Sequence, residues 1–113
     1  MKIYDLEERT FKFANYVRNF VKKLQKTIAN IEDIKQVVKA SGSVGANYIE
    51  ANEAISKKDF QYRIKICRKE AKESWYFLRL LDTKNKDVLE NERADLVQEA
   101  MELTKIFGSI LNK

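Results

Sequence analysis

Four stretches of the chain repeat their apolar positions every three or four residues, the spacing that gives an α-helix one inward face. The first runs from Asp5 to about Lys26, with Leu6, Phe13, Val17, Phe20, Val21 and Leu24 inward and the stripe continuing to Ile28. Asp5 and Glu8 have capping-box spacing at its start. The second runs from about Ile31 to Ala54, with Asn30 as N-cap, and places Ile34, Val37, Val38, Ser41, Gly45, Tyr48 and Ile55 on one face. The third opens after Ser56, with Asp59 at capping-box spacing, and carries Phe60, Ile64, Cys67, Ala71, Trp75, Leu78 and Leu81. A polar stretch from Thr83 to Asn91 reads as the longest connection. The fourth helix reaches about Leu111, with Leu96, Ala100, Leu103, Phe107 and Ile110 inward. Short connections predict antiparallel neighbours, hence an all-α, up-down-up-down four-helix bundle spanning residues 1–113 as one domain.

Composition supports this. The 113 residues contain no proline and only three glycines, Gly42, Gly45 and Gly108, too few turn-formers for a β-sandwich or barrel. Apolar residues make up 44% and charged residues 35%, a globular balance. The single cysteine excludes an internal disulfide. No apolar run approaches the ~20 residues of a membrane span, and Met1 to Asp5 show no leader pattern, so the expectation is a soluble, cytoplasmic protein with no membrane partner.

Several chemistries are ruled out by what is missing. Without histidine there is no His-based metal site, Ser-His triad or Cys-His dyad, and no Glu-x-x-His pair for a di-iron bundle. Gly42-Ser43-Val44-Gly45 does not match a phosphate-binding loop. Cys67 falls in the apolar stripe and reads as a core residue. The expectation is no catalytic residue, no metal and no cofactor; a hydrolase would require a cleft holding Glu50 and Glu70 together.

The second helix is unusual between Ala40 and Ala54. Two internal glycines cost roughly 1 kcal/mol each against alanine, so close packing should compensate for them. Ala40, Ser43, Asn47, Glu50, Ala51 and Ala54 read as a second face opposite the apolar one, small and lightly charged. Two readings stand: tight packing inside one bundle, or contact with another subunit. Ser43, Asn47 and Glu50 stack along one flank, and Arg63, Glu70 and Ser74 cluster beside the third helix's stripe. A polar layer between these helices follows if they face each other, and buried Glu50 or Glu70 would then need donors. The candidate interhelical or oligomer contacts are therefore Ser43, Asn47, Glu50, Ala51, Ala54, Arg63 and Glu70.

Charge is the other informative feature. The net charge is +5, and Lys57 to Lys72 alone hold seven cations against Asp59 and Glu70, so the excess is local. Lys58, Tyr62, Lys65, Lys69, Lys72, Tyr76 and Arg79 follow alternating spacings of four and three and share one side of the third helix, opposite its apolar stripe. Lysines contact phosphates while tyrosines stack on unpaired bases, so these seven are candidate nucleic-acid-binding residues suited to single-stranded or irregular RNA, or to another polyanion. The plainer reading is a solvated lysine-rich face. The fourth helix leans acidic, through Asp87, Glu90, Glu92, Asp95, Glu99 and Glu102, which leaves a protein partner as the alternative.

Three motifs stand out: Ser41, Ser43, Asn47, Tyr48-Ile49, Glu50 and Ala51 in the second helix, then Ser56-Lys57-Lys58-Asp59-Phe60, then Lys69-Glu70-Ala71-Lys72-Glu73-Ser74 with Trp75 and Leu78. Through them the sequence resembles the four-helix-bundle family encoded by intervening sequences of bacterial 23S rRNA genes, with Tyr48 displacing the family's Asn-Ile pair by one place. The resemblance covers essentially the whole chain. What it implies is a left-handed up-down bundle, a ring-like homo-oligomer with a pentamer in keeping, no established enzymatic activity, and an RNA partner suspected from the family's genomic setting.

Overall fold

The computed structural model describes residues 5–113 as four α-helices: α1 Leu6–Val21, α2 Ile28–Asn52, α3 Lys57–Leu80 and α4 Asp87–Leu111. They form the antiparallel four-helix bundle that the apolar period predicts. Each helix packs on its neighbours around a ring, α1 on α2, α2 on α3, α3 on α4 and α4 on α1, and the bundle measures 46 × 25 × 20 Å. The N-terminal stretch read above for a leader lies, apart from Asp5, outside the described residues.

Burial follows the stripes. Leu6, Phe13, Val17 and Phe20 of α1 meet Val37, Val44 and Tyr48 of α2, Ile64, Cys67, Ala71 and Leu78 of α3, and Leu96, Ala100, Leu103 and Phe107 of α4. Each large side chain so buried contributes roughly 1.5–3 kcal/mol, far more than a surface ion pair. The contact between α1 and α4 is the sparsest of the four and is bridged by charge. Arg9 donates to Glu99 at 2.7 Å and to Glu102 at 2.9 Å, and Lys23 reaches Glu92 at 2.9 Å. At the opposite corner α2 comes close to α1 at Gly45, where a Cβ would lie 3.0 Å from Thr10 Oγ1. That hydroxyl is buried and donates to Leu6 O at 2.7 Å, so it has little room to retreat. This is the compensation for one helical glycine.

The helix ends differ from expectation in ways with physical causes. Asp5 makes no side-chain cap bond, because its backbone (φ −79°, ψ −5°) is already helical whereas a capping residue is normally extended. The first helix stops at Val21, not Lys26. Lys26 folds back and donates to the carbonyls of Val21 at 3.0 Å and Leu24 at 2.7 Å, satisfying groups the helix end leaves open. Thr27, not Asn30, caps α2, accepting from Asn30 N at 3.1 Å. The new helix resets the phase, so Ile28 is 87% exposed rather than inward. Ile55 likewise faces solvent, 94% exposed, because α2 has ended at Asn52. The Ser56 cap forms as expected, accepting from Asp59 N at 3.0 Å. The α3–α4 connection is shorter than the polar stretch suggests, since α4 begins at Asp87. It turns through Lys84 and Asn85, both at φ 57°, with Lys84 N donating to Asp82 Oδ1 at 2.7 Å.

Freed from capping, Asn30 is fully buried. Its amide donates to Gln25 O at 2.8 Å and Asp82 O at 2.9 Å, and its carbonyl accepts from Asp82 N at 2.9 Å. One side chain thus ties the α1–α2 connection to the α3–α4 connection. Asn30→Ala leaves these groups without partners in a buried site, and we expect a loss of about 2–3 kcal/mol in urea unfolding. Unchanged stability would show that the tie is dispensable.

Candidate nucleic-acid interface

Helix α3 is set in place by two things. Its N-terminus is fixed by the Ser56 cap, and its rotation by the fully buried residues Ile64, Cys67, Ala71, Ser74 and Leu78, wedged toward α2 and α4. With 3.6 residues per turn, Lys58, Tyr62, Lys65, Lys69, Lys72, Tyr76 and Arg79 then fall within an arc of about 100° on the far side, over about 30 Å of helix. All seven are exposed, with Tyr62 at 58% and Tyr76 at 52%. Among the described residues Lys58 and Lys65 form no ion pair. Lys69 lies 4.0 Å from its sequence neighbour Glu70, at the limit for a contact. The stripe is therefore open and its charge is not neutralised.

The other α3 cations are used elsewhere. Arg63 turns toward α2 and donates to Asn47 Oδ1 at 3.0 Å, with Glu50 4.0 Å away, while Asn47 donates to Ser43 O and Oγ at 2.9 Å. Ser43, Asn47, Glu50 and Arg63 thus form a polar ladder along the α2–α3 seam of one chain. The Arg68 stem lies along α4, with its Cδ near Gly108. The small residues of α2 do not make a separate back face: Ala40 and Ala51 are buried inside the bundle, and Ala54 is half-buried.

Glu70 lies apart from that ladder. Burial pushes its carboxyl above the ordinary range, Glu73 adds to this, and Lys69 and Lys39 oppose it; the Ser74 hydroxyl donates to its backbone carbonyl at 2.9 Å. Three cavities, of about 320, 410 and 320 Å³, lie along the α1–α2 and α1–α4 sides, and neither Glu50 nor Glu70 lines any of them. The Cys67 thiol donates to Val44 O at 3.4 Å, and burial pushes it up to about 12, which suits a packed core group rather than a nucleophile. Among the described residues no cluster of Cys, Asp and Glu could hold a metal, and no helix is long and apolar enough to cross a membrane.

Trp75 is the residue whose role the apolar pattern obscures. It is only half-buried: one side packs against the core, while Lys72 Nζ lies 4.4 Å and Arg79 Cζ 4.3 Å from its ring centroid. The signal was present in the spacing, because cations three residues before and four after an aromatic residue sit one turn on either side of it. Tyr76 meets Phe77 edge-on at 5.2 Å.

Four acids of α4 are engaged away from this stripe. Glu99 and Glu102 are engaged by Arg9 of α1, Glu92 by Lys23 just beyond its end, and Glu90 pairs with Arg93 on its own helix. The charges of the two outer surfaces are thereby separated.

Among curated proteins no match to the chain was found. Among solved structures, a protein of unknown function from the S23 ribosomal protein family of Bacteroides thetaiotaomicron is similar, at 27% identity and a TM-score of 0.79, over 95% of this chain and 98% of that one. The family model of the 23S rRNA-intervening sequence protein matches residues 3–109, nearly the whole chain. With the four-helix bundle and the second- and third-helix motifs in place, the chain belongs to the 23S rRNA-intervening sequence protein family.

Proposed function

We propose that this protein is a non-enzymatic, homo-oligomeric bundle that binds RNA through the outward face of α3. The observation that carries the reading is the open stripe of five cations and two tyrosines on one side of a single helix. Phosphate contacts supply affinity by releasing condensed counterions, and exposed tyrosines favour unpaired bases over a closed duplex. The family's name ties it to 23S rRNA and the similar structure's to the ribosome, both consistent with an RNA partner.

Self-association is supported by a different surface. Phe11, 65% exposed, and the exposed Ile49 flank a floor of Ala14, Gly42, Gly45 and Ala46 between α1 and α2. Apolar side chains beside a shallow, small-residue floor suit another helix's approach. This surface shares no residue with the stripe. A protein adaptor acting through α4 has less to work with, because four of its acids are already paired within the chain.

Two outcomes follow. Changing Lys65, Lys69 and Lys72 together to Glu abolishes binding of a single-stranded RNA oligonucleotide at low salt, while the melting temperature moves by no more than about 4 °C, as for exposed substitutions. Retained binding would remove the stripe from the account. Sedimentation equilibrium at tens of micromolar gives a mass of several chains, and a monomer mass would reject the oligomer.

A further inference from the structure

The stripe is not uniform along its length. At its N-terminal end Lys58 and Lys65 are exposed and form no ion pair among the described residues, and Arg63 Cζ lies 5.7 Å from the Tyr62 ring. At its C-terminal end two of the cations converge on one aromatic ring, and that ring is anchored in the core. Long, flexible ammonium and guanidinium arms lose freedom when they grip an anion, and arms already held in place lose less. The two ends of α3 therefore differ in how well they are prepared to bind.

We propose that Lys72, Trp75, Tyr76 and Arg79 form a nucleotide clamp, in which Trp75 presents two cations to successive phosphates of single-stranded RNA and Tyr76 stacks on an unpaired base. The proposal rests on the RNA reading of the α3 face and assigns that site its anchor and its ligand class. Trp75 is a positioning residue: its indole holds Lys72 and Arg79 through cation–π attraction, so both charges stay within reach of one ring. Neither cation is neutralised, since among the described residues no acid pairs with Lys72 or Arg79. Of the acids nearest in sequence, Asp82 pairs with Lys84, and Glu73 is exposed and forms no ion pair among the described residues. Phe77 braces the Tyr76 ring edge-on, and Tyr76 keeps half its surface open. A face of that kind accepts a splayed base and gains little from a base paired inside a duplex.

Trp75 is the chain's one tryptophan, so its own emission reports on the clamp. The test titrates full-length protein with a labelled single-stranded oligouridylate, following anisotropy of the label and emission of Trp75 in parallel, and repeats the titration with duplex RNA of equal length. The expected result is that both signals saturate together, and that the duplex binds more weakly. Trp75→Leu should weaken binding about threefold to tenfold, with Trp75→Phe between it and the unaltered protein, because phenylalanine keeps a weaker cation-binding face. Tyr76→Leu should reduce the preference for single strands. Circular dichroism melts of each variant separate a loss of clamp from a loss of fold: a Trp75→Leu protein that melts well above the binding temperature and binds weakly supports the clamp. If the oligouridylate binds but Trp75 emission stays constant and Trp75→Leu binds like the unaltered protein, the clamp is overturned while the stripe stands. If no RNA binds at low salt, both fall.

Discussion

The rotation of α3 is the constraint on which the rest depends. Ile64, Cys67, Ala71, Ser74 and Leu78 are completely buried, and any turn of the helix that exposed them would forfeit several kcal/mol of apolar burial. Surface ion pairs, worth ~0–1 kcal/mol each, cannot compete with that. With the apolar stripe locked toward α2 and α4, the lysines and tyrosines on the other side have nowhere to go but outward. The cationic face is thus a consequence of core packing rather than of any preference of the lysines themselves.

Why that face stays charged is settled elsewhere in the bundle. Its most acidic helix, α4, spends Glu99 and Glu102 on Arg9 and Glu92 on Lys23, closing the sparse contact with α1. Arg63 is drawn into the α2–α3 ladder with Asn47 and Ser43. What remains on the outer side of α3 is mostly positive, and among the described residues its one ion pair is the 4.0 Å contact of Lys69 with Glu70. The five cations of the α3 stripe lie together on one side of the helix, which is what counterion release requires of a polyanion-binding surface.

Much of this was legible in the residues alone. The apolar period of α3 and α4, the Ser56 cap and the alternating spacing of the cations depend only on helix geometry, and they survive in three dimensions. Legibility failed where the answer depended on which residue wins a local competition. Asn30 looks like a cap by type, but Thr27 three residues earlier takes the role, and the amide is released to bind two connections that are far apart in sequence. Ile28 and Ile55 continue a period only if the helices do, and a broken helix resets the phase. Ala40 and Ala51 look like an outer face on a helical wheel but are buried, because α2 is enclosed by α1 and α3 over a wider arc than its large residues suggest. Trp75 is apolar by type and amphipathic in place, and only its partners at three and four residues' distance reveal that.

The claim that the α3 face is accessible and meets a polyanion is tested most directly by the reactivity of its amines in the assembled native protein. Brief acetylation followed by peptide mass spectrometry should find Lys58, Lys65, Lys69 and Lys72 readily modified in nuclease-treated protein. Adding single-stranded RNA should protect those four and leave Lys35 of α2 and Lys105 of α4 as reactive as before. Lysines already shielded without RNA, or equally reactive with it, would contradict the account.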